Sequence, residues 1–201
     1  MTRHIALMLL LGVAVSVSSC RNKAKGPTDT VSSGVIKISV DESFRPLIQE
    51  EIDVYEGLYP AAGLIPEYTS EVEAINLLLK DSVRLAVSTR QLTQAEINGL
   101  AEKKLVPRQI KIATDGIALI THKQNADTIL SVPDLTKILT GKITKWSQLD
   151  PKSTLGDIQV VFDNTNSSTV RYAIDSLCNG EPLYKELTAL GTNPQVIDHV
   201  A

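Results

Sequence analysis

Apolar and polar positions alternate along the chain in two rhythms. Val35 to Val40 (VIKISV) has the period of two expected of a strand. The next stretch switches period: Phe44, Leu47, Ile48, Ile52, Tyr55 and Leu58 recur at helical spacing, with Ser43 as the expected N-cap and Pro46 in the first turn. A strand is predicted near Leu64 to Tyr68. A helix then opens at Ser70, with Glu73 at the capping-box distance. Arg84 to Thr89 reads as a short strand, and Thr93 with Glu96 repeats the capping box. Strands and helices thus take turns, the pattern of parallel βαβ units in an α/β fold.

The rhythm changes after Leu105. Ile110 to Ala113 and Ile117 to Thr121 are extended apolar runs flanking Asp115-Gly116. A helix is expected from Ser131, with Asp134 three residues on and Gly141 as its stop. Ile158 to Phe162 reads as a strand. A polar run, Asp163 to Thr169, leads into a helix with Val170, Ala173, Ile174 and Leu177 on one face. Two more helices are expected: Glu181 to Gly191, and one begun by Asn193-Pro194.

The N-terminus follows neither rhythm. Ile5 to Val17 is a continuous apolar run after a single Arg, too short for a bilayer span of about 20 residues. It has the form of a secretory signal peptide, residues 1–19. Val17-Ser18-Ser19-Cys20 resembles the lipobox of bacterial lipoproteins. That resemblance implies cleavage before Cys20, a lipid on its thiol, a tether over 20–33, and a protein of the cell envelope, membrane-anchored and facing the periplasm. The alternative is a plain signal peptide with Cys20 incidental. Acylated Cys20 would leave Cys178 without an intramolecular partner, most simply a small buried residue.

Composition narrows the chemistry. The chain has 201 residues, 43% hydrophobic and 21% charged, with a net charge of −3. No long basic run is present, which argues against nucleic acid as a partner. His122 and His199 lack partners at metal or catalytic spacing, and no nucleophile elbow, zinc-protease or P-loop motif occurs. No enzyme activity, metal or cofactor is expected.

Hydroxyl residues instead collect where strands give way to helices: Ser43, Thr69-Ser70, Ser88-Thr89 and Ser167-Ser168-Thr169. In an open parallel sheet such corners lie along one edge, beside the ligand crevice. Either each hydroxyl caps its own helix, or several share an anion site built from helix N-termini.

Longer motifs resemble a known family. Asp115-Gly116 with its apolar run, then Ile138, Gly141, Lys142, Ile143 and Trp146, is similar to the phosphate-binding proteins of bacterial ABC phosphate importers, the PstS family. "SVDESFRPL" resembles its first corner, "VSTRQLT" its third, and "NSSTVRY" its Ser-Gly-Thr loop. The resemblance implies a two-lobed periplasmic-binding-protein-like fold, with lobes over 34–113 and 114–201. It implies a monomer that binds phosphate or another oxyanion and hands it to ABC permease subunits. The expected ligand contacts are Ser43, Phe44, Ser70, Ser88, Thr89, Ser167, Ser168, Thr169 and Arg171.

Several positions depart from the family. Thr89 stands where an Asp is usual, Asp163 where an Arg is usual, and Ser168 replaces the middle Gly. Arg90 and Arg171 are near enough in sequence to supply positive charge. The family's chain also continues past this one's end, so a fragment or a shortened member with an incomplete second lobe is expected. The departures leave a second reading: a repurposed lobe serving as a sensor or protein-interaction lipoprotein.

Overall fold

The computed structural model describes residues 29–125 and 129–201. The expected signal peptide, Cys20 and most of the tether lie outside the described residues.

Strand β1 (Ser33–Asp41) is central, paired in parallel with β2 (Ala61–Thr69) on one side and β3 (Leu85–Val87) on the other. Its second half, Ile38 to Asp41, is buried on both faces, as a strand covered by helices on both sides requires. On one face, Ile38 and Val40 pack with Ile52 of α1 (Arg45–Leu58). Ile36, Ile48, Leu64, Tyr68 and Val87 surround that cluster. On the other face, the Ser39 hydroxyl donates to the Ala74 carbonyl of α2 (Glu71–Leu79) at 2.7 Å. Helix α3 (Gln94–Glu102) follows, opened by the expected reciprocal cap between Thr93 and Glu96.

No regular element occupies 103–131 among the described residues. Ile110, Ile112, Ile117, Leu119 and Ile120 are exposed there, Ile112 at 71%. Alternating apolar residues define a face, but a strand also needs a neighbour to pair its backbone groups. No described segment pairs with these runs.

The later half is built around a second cluster. Helix α4 (Val132–Leu139) is capped by Ser131, which accepts the Asp134 N–H. Gly141 ends it at φ +76°, where an added Cβ would lie 2.5 Å from the Tyr184 ring. Both conditions exclude other residues. Strand β4 (Val161–Phe162) leads to α5 (Ser168–Tyr172), which continues as one π turn over Ala173–Leu177. Leu139, Ala173 and Cys178 form the buried cluster, with Leu135, Val160, Phe162, Leu177 and Leu183 around it. Cys178 is a buried free thiol. None of the extensive packings between elements joins one before residue 103 to one after residue 131.

Three expectations are corrected. The segment 181–191 is not a helix: it turns and forms β5 (Thr188–Ala189), parallel to β4. Thr188 N–H donates to Val160 and Leu190 N–H to Phe162, both at 3.0 Å. Pairing with the half-buried β4 outweighs the segment's weak helical pattern. The last helix, α6 (Asn193–Val200), is capped by Thr192 with Gln195, not by Asn193. Ser43 does not cap α1, because a 3-10 turn, Glu42–Phe44, intervenes and is itself capped by Asp41.

Candidate functional site

The parallel sheet brings the C-terminal ends of β1, β2 and β3 to one edge, and the corner residues gather there. Two of them do only local work. Ser70 caps α2 by accepting the Glu73 N–H at 3.4 Å. The Ser88 hydroxyl donates to the Arg90 carbonyl at 2.9 Å. Phe44 packs against the cluster beneath the first corner.

The centre of the site is a residue the sequence did not single out. Glu71, the first residue of α2, is 1% exposed. Its Oε1 accepts the Thr89 N–H at 2.8 Å, the Thr89 hydroxyl at 2.5 Å and the Arg90 N–H at 3.2 Å. Its Oε2 accepts Arg171 Nε–H at 2.6 Å. Arg171 Nη2 also donates to the Thr89 hydroxyl oxygen at 2.5 Å, so that oxygen donates to one group and accepts from the other. Burial alone would raise the Glu71 carboxyl. The Arg171 guanidinium and the Thr89 donors outweigh it and hold the group below its ordinary value.

Arg90 does not face this carboxylate with its charge. Its guanidinium is bidentate to Glu96, at 2.9 and 2.8 Å. That pairing holds the Glu96 carboxyl down to about 2.

A second acid lies at the end of β1. Asp41 is 1% exposed; its Oδ1 accepts the Ser43 N–H at 3.1 Å. Its Oδ2 and the Ser43 hydroxyl are buried without hydrogen-bond partners. Burial pushes the Asp41 carboxyl above its ordinary value, opposed by Ser168 and Ser43 beside it.

The polar run before α5 resolves into separate roles. Ser167 is the helix cap, accepting the Val170 N–H at 3.2 Å. Its hydroxyl donates to the buried Asp163 carboxylate at 2.7 Å. Asn164 accepts the Asn166 N–H at 2.8 Å, shaping the turn. Ser168 is buried, and Thr169 follows it on the first turn. The Val170 N–H is therefore committed to the cap.

Asp41, Glu71 and Asp163 are all buried acids, and Arg171 is the guanidinium that reaches Glu71. No group of His, Cys, Asp and Glu suited to a metal ion occurs among the described residues. No described helix is long and apolar enough to cross a membrane. Asp41 lies inside the first-corner motif but was not among the expected contacts, and Glu71 was not singled out at all. Glu71 reads there as an acid in the first turn of a helix, favourable wherever it occurs.

A family profile described as a PBP superfamily domain matches residues 26–189. The phosphate-binding protein PstS 2 of Streptococcus agalactiae is 28% identical over 128 residues, 64% of this chain and 42% of its own length. The phosphate-binding protein PstS of Borreliella burgdorferi is 24% identical over 173 residues, 86% of this chain and 56% of its own. The chain therefore spans about half the length of these curated relatives. Among solved structures, a putative phosphate ABC transporter substrate-binding protein with bound phosphate from Clostridium perfringens superposes with a TM-score of 0.72. It shares 23% identity over 83% of this chain and 66% of that one. An ABC-type phosphate transport receptor from Vibrio cholerae gives a TM-score of 0.60 at 23% identity, over 83% and 67% of the two chains. The shared fold is the α/β, two-lobed one of periplasmic binding proteins.

Proposed function

Because this chain belongs to the PBP superfamily, we propose that it is a substrate-binding protein that captures phosphate or a similar oxyanion for an ABC importer. The lobes are roughly residues 34–113 and 114–201, with the crossover near Gly116, and the ligand lies in the cleft between them. Cys20 carries the lipid that anchors the protein in the cell envelope, facing the periplasm.

One observation supports this reading above the rest. The third corner and α5 together supply Thr89 N–H, Arg90 N–H, the Thr89 hydroxyl and the Arg171 guanidinium to a single anionic group. A desolvated oxyanion needs such a set, since an unmatched buried charge costs several kcal/mol. The names of the similar proteins specify phosphate.

Calorimetric titration of the mature protein with phosphate, sulfate and other oxyanions tests the proposal. Phosphate is expected to give a saturable, one-site heat. Replacing both Ser43 and Thr169 with Ala is expected to weaken it by about 2 kcal/mol, taking ~1 kcal/mol per hydrogen bond. Absence of binding to every oxyanion tested would overturn the reading.

A further inference from the structure

The donors gathered at the third corner already hold an anion, and that anion belongs to the chain. Glu71 is buried, its Oε1 takes three donors, and its Oε2 takes Arg171. An incoming oxyanion that used the Thr89 and Arg90 N–H groups would need those same hydrogens. Two anions cannot share them in a desolvated corner, since like charges at close range disfavour each other by several kcal/mol. Glu71 would have to leave or be neutralised.

The pair also bridges the molecule. Glu71 lies in the first half and Arg171 in the second, and no extensive element packing joins the halves. The contacts of Arg171 with Glu71 and Thr89 connect them at the corner. Each half carries its own hydrophobic cluster, so neither depends on the other for a core.

We propose that Glu71 is a built-in stand-in for the ligand: with Arg171 it latches the two halves together, and an oxyanion binds by displacing its carboxylate from the Thr89, Arg90 and Arg171 donors. The displacement rests on the oxyanion reading above; the latch does not. Affinity for the oxyanion is thereby set low by an internal competitor. Arg171 serves the internal anion first and the external one afterwards. A purely structural ion pair would behave differently, because removing its acid would not favour an external anion.

The test uses two variants and two measurements on the full chain. Glu71→Gln keeps the side chain's shape and removes its charge. Arg171→Gln removes the bridging cation and leaves Glu71 with its Thr89 and Arg90 donors. Small-angle X-ray scattering in phosphate-free buffer reads whether the halves separate, and titration with inorganic phosphate reads the competition. Both variants are expected to show a larger radius of gyration than the parent. Their affinities are expected to move in opposite directions: Glu71→Gln binds phosphate about tenfold more tightly, within the usual range of coupling between sites, and Arg171→Gln binds it more weakly. An unchanged radius in both variants overturns the latch. Equal or weaker phosphate binding by Glu71→Gln overturns the competition. If Glu71→Gln does not fold, the radius of Arg171→Gln decides the latch. Glu71→Asp, whose shorter carboxylate holds the same donors less well, then decides the competition: phosphate binding equal to or weaker than the parent's overturns it. If neither parent nor variants bind phosphate, the phosphate reading and the displacement fail together, and scattering alone still judges the latch.

Discussion

Arg171 Nε donates to Glu71 Oε2 at 2.6 Å, although 100 positions of sequence separate the two residues. Glu71 is 1% exposed and Arg171 34% exposed, so the bond joins a fully desolvated acid to a partly solvated base. The acid gains most from it. Burial works against the Glu71 carboxylate, and the guanidinium with the Thr89 donors reverses that effect.

Removal of the base should therefore be felt as lost stability. Arg171→Gln is expected to lower the unfolding free energy at pH 7 by about 2–3 kcal/mol. That is less than the ~3–5 kcal/mol of breaking a fully buried pair, because solvent already screens part of Arg171. Urea denaturation measures it, and a loss under about 0.5 kcal/mol would contradict the role given to the pair.

Glu96 gives a dependence on pH with a definite sign. Its carboxyl is lowered in the fold from 4.5 to about 2, chiefly by Arg90 and then by Thr93. A lowered acid contributes stability that is complete above pH 4.5 and is lost as pH falls toward about 2. Glu96→Gln should cost about 1.5–3 kcal/mol at pH 7, the range for hydrogen bonds to charged groups. It should also flatten the stability curve across that acid window. A variant whose acid limb is as steep as the parent's would assign the window to other groups.

Asp41 acts in the opposite sense. Its carboxyl is raised, first by burial, so its contribution is complete below pH 3.8 and is lost as pH rises through its folded value. Asp41→Asn removes the charge, keeps an acceptor for the Ser43 N–H, and offers an amide to the flanking hydroxyls. Its stability relative to the parent should improve as pH rises from about 3.5 to about 7. A variant that loses ground as pH rises would show that the ionised Asp41 is well matched in the fold.

Ser167→Ala should be costly, since Ser167 is buried. It removes the Val170 cap and the donor to buried Asp163 together. A cap contributes ~1 kcal/mol and a bond to a charged acceptor somewhat more, so a loss of about 2 kcal/mol is expected in thermal or urea unfolding. A change within about 0.5 kcal/mol would mean that Asp163 finds another donor.

Anchoring is tested independently of the fold. Cys20→Ala is expected to release the protein from the membrane fraction or leave it with its leader attached. Detergent-phase partition equal to that of the parent would remove the lipid from the proposal.

Much of the framework was legible in order along the chain. The strand at 35–40 and the caps at Ser70, Thr93 and Ser131 depend on neighbours within a few residues, and the structure has them. The gathering of the corner hydroxyls at one edge follows from parallel strands alone. Local pattern failed where a distant partner decided the outcome. The segment at 181–191 looked helical, but β4 takes part of it as a strand. Ser43 looked like a cap, but Asp41 occupies that role through the intervening 3-10 turn.

The same distinction divides the site. The sequence by itself determined which residues carry hydroxyls, that they stand at strand-to-helix corners, and that Thr89 and Asp163 depart from the pattern of the PstS family. Capping and strand period are short-range effects, so they can be read locally. Only the tertiary structure decided the charges. It assigned Arg90 to Glu96, Ser167 to Asp163, and Arg171 to Glu71. A buried charge takes whichever partner the packed chain brings within about 3 Å, because in a low dielectric an unmatched one costs several kcal/mol. For Glu71 and Arg171, 100 positions apart, that depends on how two halves with separate cores meet, and no run of neighbouring residues encodes it.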